Sequence, residues 1–289
     1  MSAGGELRFA KMHGLGNDFV VVDATAAPFT PTAAQLQWLC DRHLGVGADQ
    51  VLVVDPPGES GVDFDYRIYN ADGSPSGQCG NGARCLALFI ARRGLSDRPQ
   101  LRVRTSDTRM MLRREADTVF TVELAAPELR PAALPSTLDA VPAATYDIDV
   151  PGFGVHCFGL VQLGNPHAVT LVDDVDAAPV AALGAALQAM PLFPASVNVG
   201  FLQVLDRGHA RLRVYERGAG ETLACGSGAC AAAVAGMLRG VVDDDVRLAL
   251  RGGELRIAWS GSLSSPDVPI RMTGPATHVY DGCLQWPNP

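Results

Sequence analysis

Two cysteines sit in matching glycine-rich loops, Cys79-Gly80-Asn81-Gly82 and Cys225-Gly226-Ser227-Gly228. Each loop runs into a stretch expected to be helical, Ala83 to Arg93 and Ala229 to Arg239, so each cysteine is expected near a helix N-terminus. Unpaired backbone N–H groups and the helix dipole stabilise an anion there. A thiolate so placed has a lowered pKa and is more reactive. Glycines let the backbone approach a ligand closely. For one loop alone, a tight turn with a buried, inert cysteine is as good a reading. A glycine-rich helix start can also cradle an anion, although neither loop has the Gly-x-x-x-x-Gly-Lys-Ser/Thr pattern. A cysteine hydrolase needs one cysteine with a histidine base. His167 is available for that, but the second loop is then unexplained.

The rest of the chain repeats with the loops. Gly16-Asn17-Asp18, Gln50-Val51, Tyr66 to Asn70 and Cys79 to Ala83 recur as Gly164-Asn165-Pro166, Asn198-Val199, Leu212 to Glu216 and Cys225 to Ala229. Asn165 and Asn198 lie 148 residues after Asn17 and Gln50, and Glu216 and Cys225 lie 146 after Asn70 and Cys79. That period is too long for a solenoid. It implies two similar domains related by a pseudo-two-fold axis, which would set the two cysteines face to face. Inverting a carbon centre needs this: a thiolate takes a proton from one face and a thiol returns one to the other. The α-proton of an amino acid is weakly acidic, so a closed, dry site with well-placed donors is also required.

The elements that would position these groups are mostly strands. Phe19 to Val22, Val51 to Val54 and Tyr66 to Tyr69 are short β-branched and aromatic runs. Leu101 to Arg104 and Val246 to Leu250 begin later strands. A helix is expected over Gln35 to Leu44, before the Gly45-Val46-Gly47 break, and Gly94 and Gly240 suit the ends of the two longer helices. The expected fold is α+β, with two pseudo-symmetric domains, each a curved, mostly antiparallel sheet around a central helix, and the active site in the cleft between them. The proline- and alanine-rich stretch Pro127 to Pro142 reads as the linker. The expected domains are residues 1–126 and 127–276, with a C-terminal strand over 277–289 packing back on the first.

Composition narrows the classes. The net charge is −8, which gives no basic footprint for nucleic acid; Arg92 and Arg93 read as a solvated helix end. No apolar run is long enough to span a membrane, and Met1 to Leu15 shows no signal-peptide pattern, so the cytoplasm is the expected compartment. Seven cysteines, none spaced Cys-x-x-Cys, and scattered histidines argue against a metal site. Cys85 and Cys230 read as core, and Cys40, Cys157 and Cys283 as structural. Lys11 is the only lysine, so a pyridoxal phosphate Schiff base has one candidate and no cofactor is expected. No oligomer interface is legible, and a homodimer is left open.

The sequence resembles the diaminopimelate epimerase family over nearly its whole length. The anchors are Lys11 to Phe19, Gly45 to Gln50, Asn70 to Ser74, Gln78 to Cys85, Gly164 to His167, Glu216 to Gly218 and Glu221 to Cys230. The resemblance implies cofactor-free interconversion of LL- and meso-diaminopimelate in lysine and cell-wall precursor synthesis, with Cys79 and Cys225 as the two bases. It places substrate contacts on Asn17, Gln50, Asn70, Asn165, Asn198, Glu216 and Arg217, and carboxylate binding on the backbone of Gly80, Asn81, Gly226 and Ser227. His167 and Glu216 would tune the thiols; Glu216 could equally be a structural partner of Arg217. Pro75-Ser76-Gly77 departs from the bulkier residues usual in the family. The residue types fit: Arg217 offers a planar fork for a carboxylate, and neutral amides read both carboxylate and ammonium groups. A proline or hydroxyproline racemase would share the cysteine pair with less use for Arg217. A small-anion-binding protein and a thiol redox protein are the readings from other classes.

Overall fold

The protein is described by a computed structural model covering residues 5–286. The outermost ends of the expected domains, residues 1–4 and 287–289, lie outside the described residues. The chain forms two compact units, one of residues 1–122 with 274–289 and the other of 123–273.

In the first unit the strands are β1 (Glu6–Gly14), β2 (Asn17–Asp23), β3 (Gln50–Asp55), β4 (Phe64–Asn70), β5 (Pro75–Ser76), β6 (Gln100–Arg104) and β7 (Arg109–Arg114). The helices are α1 (Ala33–Cys40) and α2 (Gly80–Arg92). The chain leaves this unit within β8 (Val119–Leu124). The second unit holds β9 (Tyr146–Val150), β10 (Gly154–Gln162), β11 (Pro166–Leu171), β12 (Asn198–Asp206), β13 (His209–Glu216), β14 (Gly220–Glu221), β15 (Asp245–Leu250) and β16 (Gly253–Ala258), with α3 (Val180–Gln188) and α4 (Gly226–Leu238). The chain returns within β17 (Ile270–Pro275) and ends in β18 (Thr277–Gln285).

The strands of the two units follow one pairing scheme. In the first unit β2–β3 and β4–β6 are parallel, and β18–β1, β1–β2, β3–β4 and β6–β7 are antiparallel. In the second, β11–β12 and β13–β15 are parallel, and β9–β10, β10–β11, β12–β13 and β15–β16 are antiparallel. The register repeats as well: Phe19 pairs with Gln50, and His167, 148 residues on, pairs with Asn198. This is the expected sheet-dominated α+β fold. β18, which has no sequence counterpart, occupies beside β1 the place that β9 occupies beside β10.

One helix in each unit is buried on every side. Asn81 to Ile90 of α2 and Gly228 to Gly236 of α4 are buried without a break, as expected of a helix enclosed by its sheet. Small residues make this possible in α4, where a Cβ at Gly159 of β10 would come within 2.8 Å of Ala235. The shorter helices α1 and α3 pack with separate apolar clusters, the first around Leu36, Leu39 and Phe29, the second around Leu183, Leu187 and Phe201.

Two elements differ from expectation. α1 stops at Cys40 instead of Leu44, because the Asp41 carboxylate accepts the N–H groups of His43 and Leu44, each at 2.7 Å. The chain then folds back so tightly that a Cβ at Gly45 would lie 1.9 Å from the Trp38 carbonyl oxygen. The stretch expected as a linker is anchored within the second unit: Glu128 bridges to Gln162, and Leu129, Pro131 and Leu134 are buried.

Candidate active site

Cys79 and Cys225 are the N-cap residues of α2 and α4, both with extended backbone. Each sulfur accepts the N–H three residues on, from Gly82 and from Gly228, at 3.3 Å in both cases. Glycine leaves room in the second loop, where a Cβ at Gly228 would sit a tight 3.1 Å from the Cys225 sulfur. These glycines cost helix propensity, and the sulfur cap offsets part of that cost. The helices therefore start three residues earlier than their composition suggests.

The first loop faces neutral amides. β1 and β2 are joined by the two-residue turn Leu15-Gly16, both with positive φ, the geometry that matches strand twist. This turn delivers Asn17 to the start of β2. Its Oδ1 accepts from the Cys79 thiol at 3.8 Å and from Asn81 Nδ2 at 3.2 Å. Gln50 and Asn70 are cross-strand partners, and Gln50 Nε2 donates to Asn70 Oδ1 at 2.9 Å. Asn70 Nδ2 donates to Ser74 Oγ. Asn17, Gln50, Asn70, Gly80 and Asn81 therefore gather with Cys79 at one end of the first sheet.

The second loop faces an acid. The Cys225 thiol is buried, 5% exposed, and lies within the influence of Glu216 at the end of β13. Burial pushes its pKa well up, and the Glu216 charge pushes it further. Ser227 Oγ lies 3.6 Å from the sulfur and acts the other way. Glu216 also accepts from the Thr222 hydroxyl. It forms no ion pair with Arg217 among the described residues; Arg217 Nη1 donates instead to the Ala195 carbonyl at 3.0 Å. Asn198 is 3% exposed, with its Oδ1 on the Arg217 N–H and its Nδ2 on the Pro166 carbonyl. His167, 1% exposed, contacts Asn165 Oδ1 through Nε2 at 2.9 Å. Burial, and then the Arg217 charge, push its pKa down to about 3. A neutral ring with its proton on Nε2 satisfies that contact. Asn165, His167, Asn198, Glu216, Arg217, Gly226 and Ser227 thus form the second set, with Cys225.

Other residues belong to these sets and escape a reading of the sequence. Thr222 fixes Glu216. Asp49 accepts from Asn17 Nδ2 at 2.9 Å. Tyr66, 1% exposed, has a hydroxyl without a hydrogen-bond partner among the described residues, and its neutral form is favoured by burial and by Cys79. Asp49 falls inside the Gly45 to Gln50 anchor, which by itself assigns it no role. Lys11, the single lysine, donates to Asp18 at 2.6 Å and to the Gly47 carbonyl. Among the described residues no group of histidine, cysteine, aspartate or glutamate is arranged to hold a metal ion, and no helix is long and apolar enough to cross a membrane. Cys85 and Cys230 are fully buried and Cys40 nearly so, whereas Cys283 is exposed.

A family model described as diaminopimelate epimerase matches residues 9–128 and 159–279. A diaminopimelate epimerase of Azoarcus sp. (strain BH72) is 52% identical over 281 residues, covering 97% of this chain and 99% of that one. Solved structures resemble the fold at much lower identity. A hydroxyproline epimerase from Agrobacterium vitis aligns with TM-score 0.69 and 16% identity, over 98% of this chain and 94% of its own. A Bacillus anthracis phenazine biosynthesis protein of the PhzF family aligns with TM-score 0.68 and 15% identity, over 97% and 99%.

Proposed function

The chain belongs to the diaminopimelate epimerase family, and on that premise we propose that it is a two-base epimerase in which Cys79 and Cys225 exchange roles as acid and base. Its activity is that of an isomerase acting on diaminopimelate. The observation that carries the two-base reading is the repeat itself. Both cysteines cap a buried helix, both sulfurs accept the N–H three residues on at the same distance, and they stand 146 residues apart in one register.

The chemistry follows from what each sulfur touches. A thiolate takes the α-proton, and the Gly82 or Gly228 N–H holds the charge before that step. The electron pair left on the α-carbon is delocalised into the substrate carboxylate, which the backbone N–H groups of Gly80, Asn81, Gly226 and Ser227 are suited to receive. The other cysteine, as thiol, delivers a proton to the opposite face. One turnover leaves thiol and thiolate exchanged, and proton exchange with water or the reverse reaction resets them. No cofactor enters this scheme.

Arg217 and the amides of Asn17, Gln50, Asn70, Asn165 and Asn198 supply recognition. The substrate carries two carboxylates and two ammonium groups, so it needs donors and acceptors together. Arg217 is exposed and bonds one carbonyl through one nitrogen, and its planar fork suits a distal carboxylate. Proline has no such distal charge. A place in lysine and cell-wall precursor synthesis puts the enzyme in the cytoplasm.

The test is incubation of the purified protein with LL-diaminopimelate in D2O, without added cofactor, beside a parallel incubation with L-proline. Deuterium at one α-carbon together with the meso isomer is expected, and no racemisation of proline. Retention of the α-proton during turnover would exclude the mechanism, and activity on proline alone would exclude the substrate.

A further inference from the structure

The Asn17 amide has to show Cys79 a defined face, and the groups on either side of it decide which. Arg84 of α2 is fully buried and can only donate. Its Nη2 donates to Asn81 Oδ1 at 2.8 Å. Asn81 is then left with Nδ2 to offer Asn17, whose Oδ1 accepts it at 3.2 Å. At the other end, Asp49 is a carboxylate that can only accept, and it takes Asn17 Nδ2 at 2.9 Å. A donor-only group and an acceptor-only group thus close the chain. Turning the Asn17 amide over would set amide nitrogen against amide nitrogen at Asn81 and oxygen against carboxylate at Asp49.

We propose that Asp49 is a positioning residue for epimerisation, locking the Asn17 amide with its oxygen on the Cys79 sulfur. The proposal rests on the reading of Cys79 as one of the acid–base pair. Asp49 is itself held by the Asp18 N–H at 3.1 Å and by Arg42 Nη2 at 2.8 Å. The second unit has no equivalent: the residue 148 positions after Asp49 is Val197, and the oxygen of Asn165 is engaged by His167. The lock makes the two cysteines unequal. A fixed oxygen on Cys79 favours its thiol and aims the S–H bond, while the Gly82 N–H supports the thiolate once the proton has left.

The test is Asp49→Asn in the full chain, read by the pH dependence of iodoacetamide alkylation at each cysteine, resolved by peptide mass spectrometry. An asparagine at position 49 can donate to Asn17 Oδ1, which removes the acceptor-only end of the chain and leaves Asn81 alone to oppose an Asn17 amide turned with its Nδ2 toward the sulfur. The Cys79 midpoint is expected to fall by on the order of one pH unit, with that of Cys225 unmoved and kcat reduced more than KM is raised. Arg42→Ala removes the ion pair to Asp49 but leaves its bond to Asn17, and should leave the Cys79 midpoint in place. An unmoved Cys79 midpoint in Asp49→Asn overturns the proposal, as does an equal shift in Arg42→Ala. If Asp49→Asn does not accumulate folded, the unaltered enzyme answers the question. Its Asn17 side-chain 15N resonance should move with the Cys79 titration, and a resonance that stays put overturns the proposal. Alkylation needs no turnover, so a shifted midpoint in a protein that does not epimerise would remove the reaction reading and leave the lock standing.

Discussion

Burial and the Glu216 carboxylate hold the Cys225 proton in place, while at Cys79 a neutral amide oxygen accepts from the thiol. The two sulfurs accept from the same backbone position and differ in the side chains beside them, Asn17 at one and Ser227 and Glu216 at the other. His167, a member of the second set, makes the burial there measurable. The folded protein keeps it neutral down to about pH 3, whereas an unfolded chain protonates it near 6.5. Between those values the unfolded state binds more protons, so stability is fully present above 6.5 and is lost as pH falls toward 3. His167→Gln removes that share. Its urea midpoint is expected to fall less between about pH 7 and about pH 4.5 than that of the unaltered protein. Parallel losses in the two proteins would refute this. Little of this tuning is legible in the sequence. Asn17 and Asp49 are 32 residues apart, and Cys225 and Glu216 meet only through the strand and turn between them.

At the scale of elements, the β-branched strands and the helices after each cysteine can be read from residue types alone. β-branched runs such as Val20-Val21-Val22 and Val51-Leu52-Val53-Val54 are buried strands, and the fold class follows from them. The ends of the helices are less legible because side chains and backbone approaches set them. Gly80 and Gly226 join their helices because a cysteine caps each one, which propensity does not encode. α1 ends early because Asp41 takes two N–H groups and Gly45 turns back onto Trp38. Gly45→Ala would force its Cβ into the Trp38 carbonyl, and a loss of about 1–3 kcal/mol in denaturant unfolding is expected. A variant as stable as the parent would show that the turn relaxes without cost.

For the whole molecule, the repeat is visible in the sequence as four landmarks and in the fold as one pairing scheme used twice. The sequence leads one to expect a C-terminal strand packing back on the first domain, but not that it takes the place beside β1. In the second unit that place is filled by β9, the strand just before β10; in the first it is filled by β18, from the far end of the chain. Local patterning does not name the strand it pairs with. β18 covers β1, whose Leu7 and Phe9 are 1% and 4% exposed. Deleting the chain from Thr277 onward should therefore release the first unit. Hydrogen exchange should lose protection over β1 and β2 and keep it over β12 and β13. Equal loss in both would contradict the division into units.

The central claim, two cysteines acting as a pair, is tested most directly by replacing each one alone. Cys79→Ala and Cys225→Ala are to be assayed for conversion of LL- to meso-diaminopimelate by chiral separation of the isomers, after circular dichroism has shown each variant folded. Either substitution removes one of the two proton-transfer groups, and a loss of at least about 1,000-fold is expected for both. A folded variant of either kind that epimerises within about tenfold of the parent would contradict the two-base account, since general acid–base groups contribute more than that.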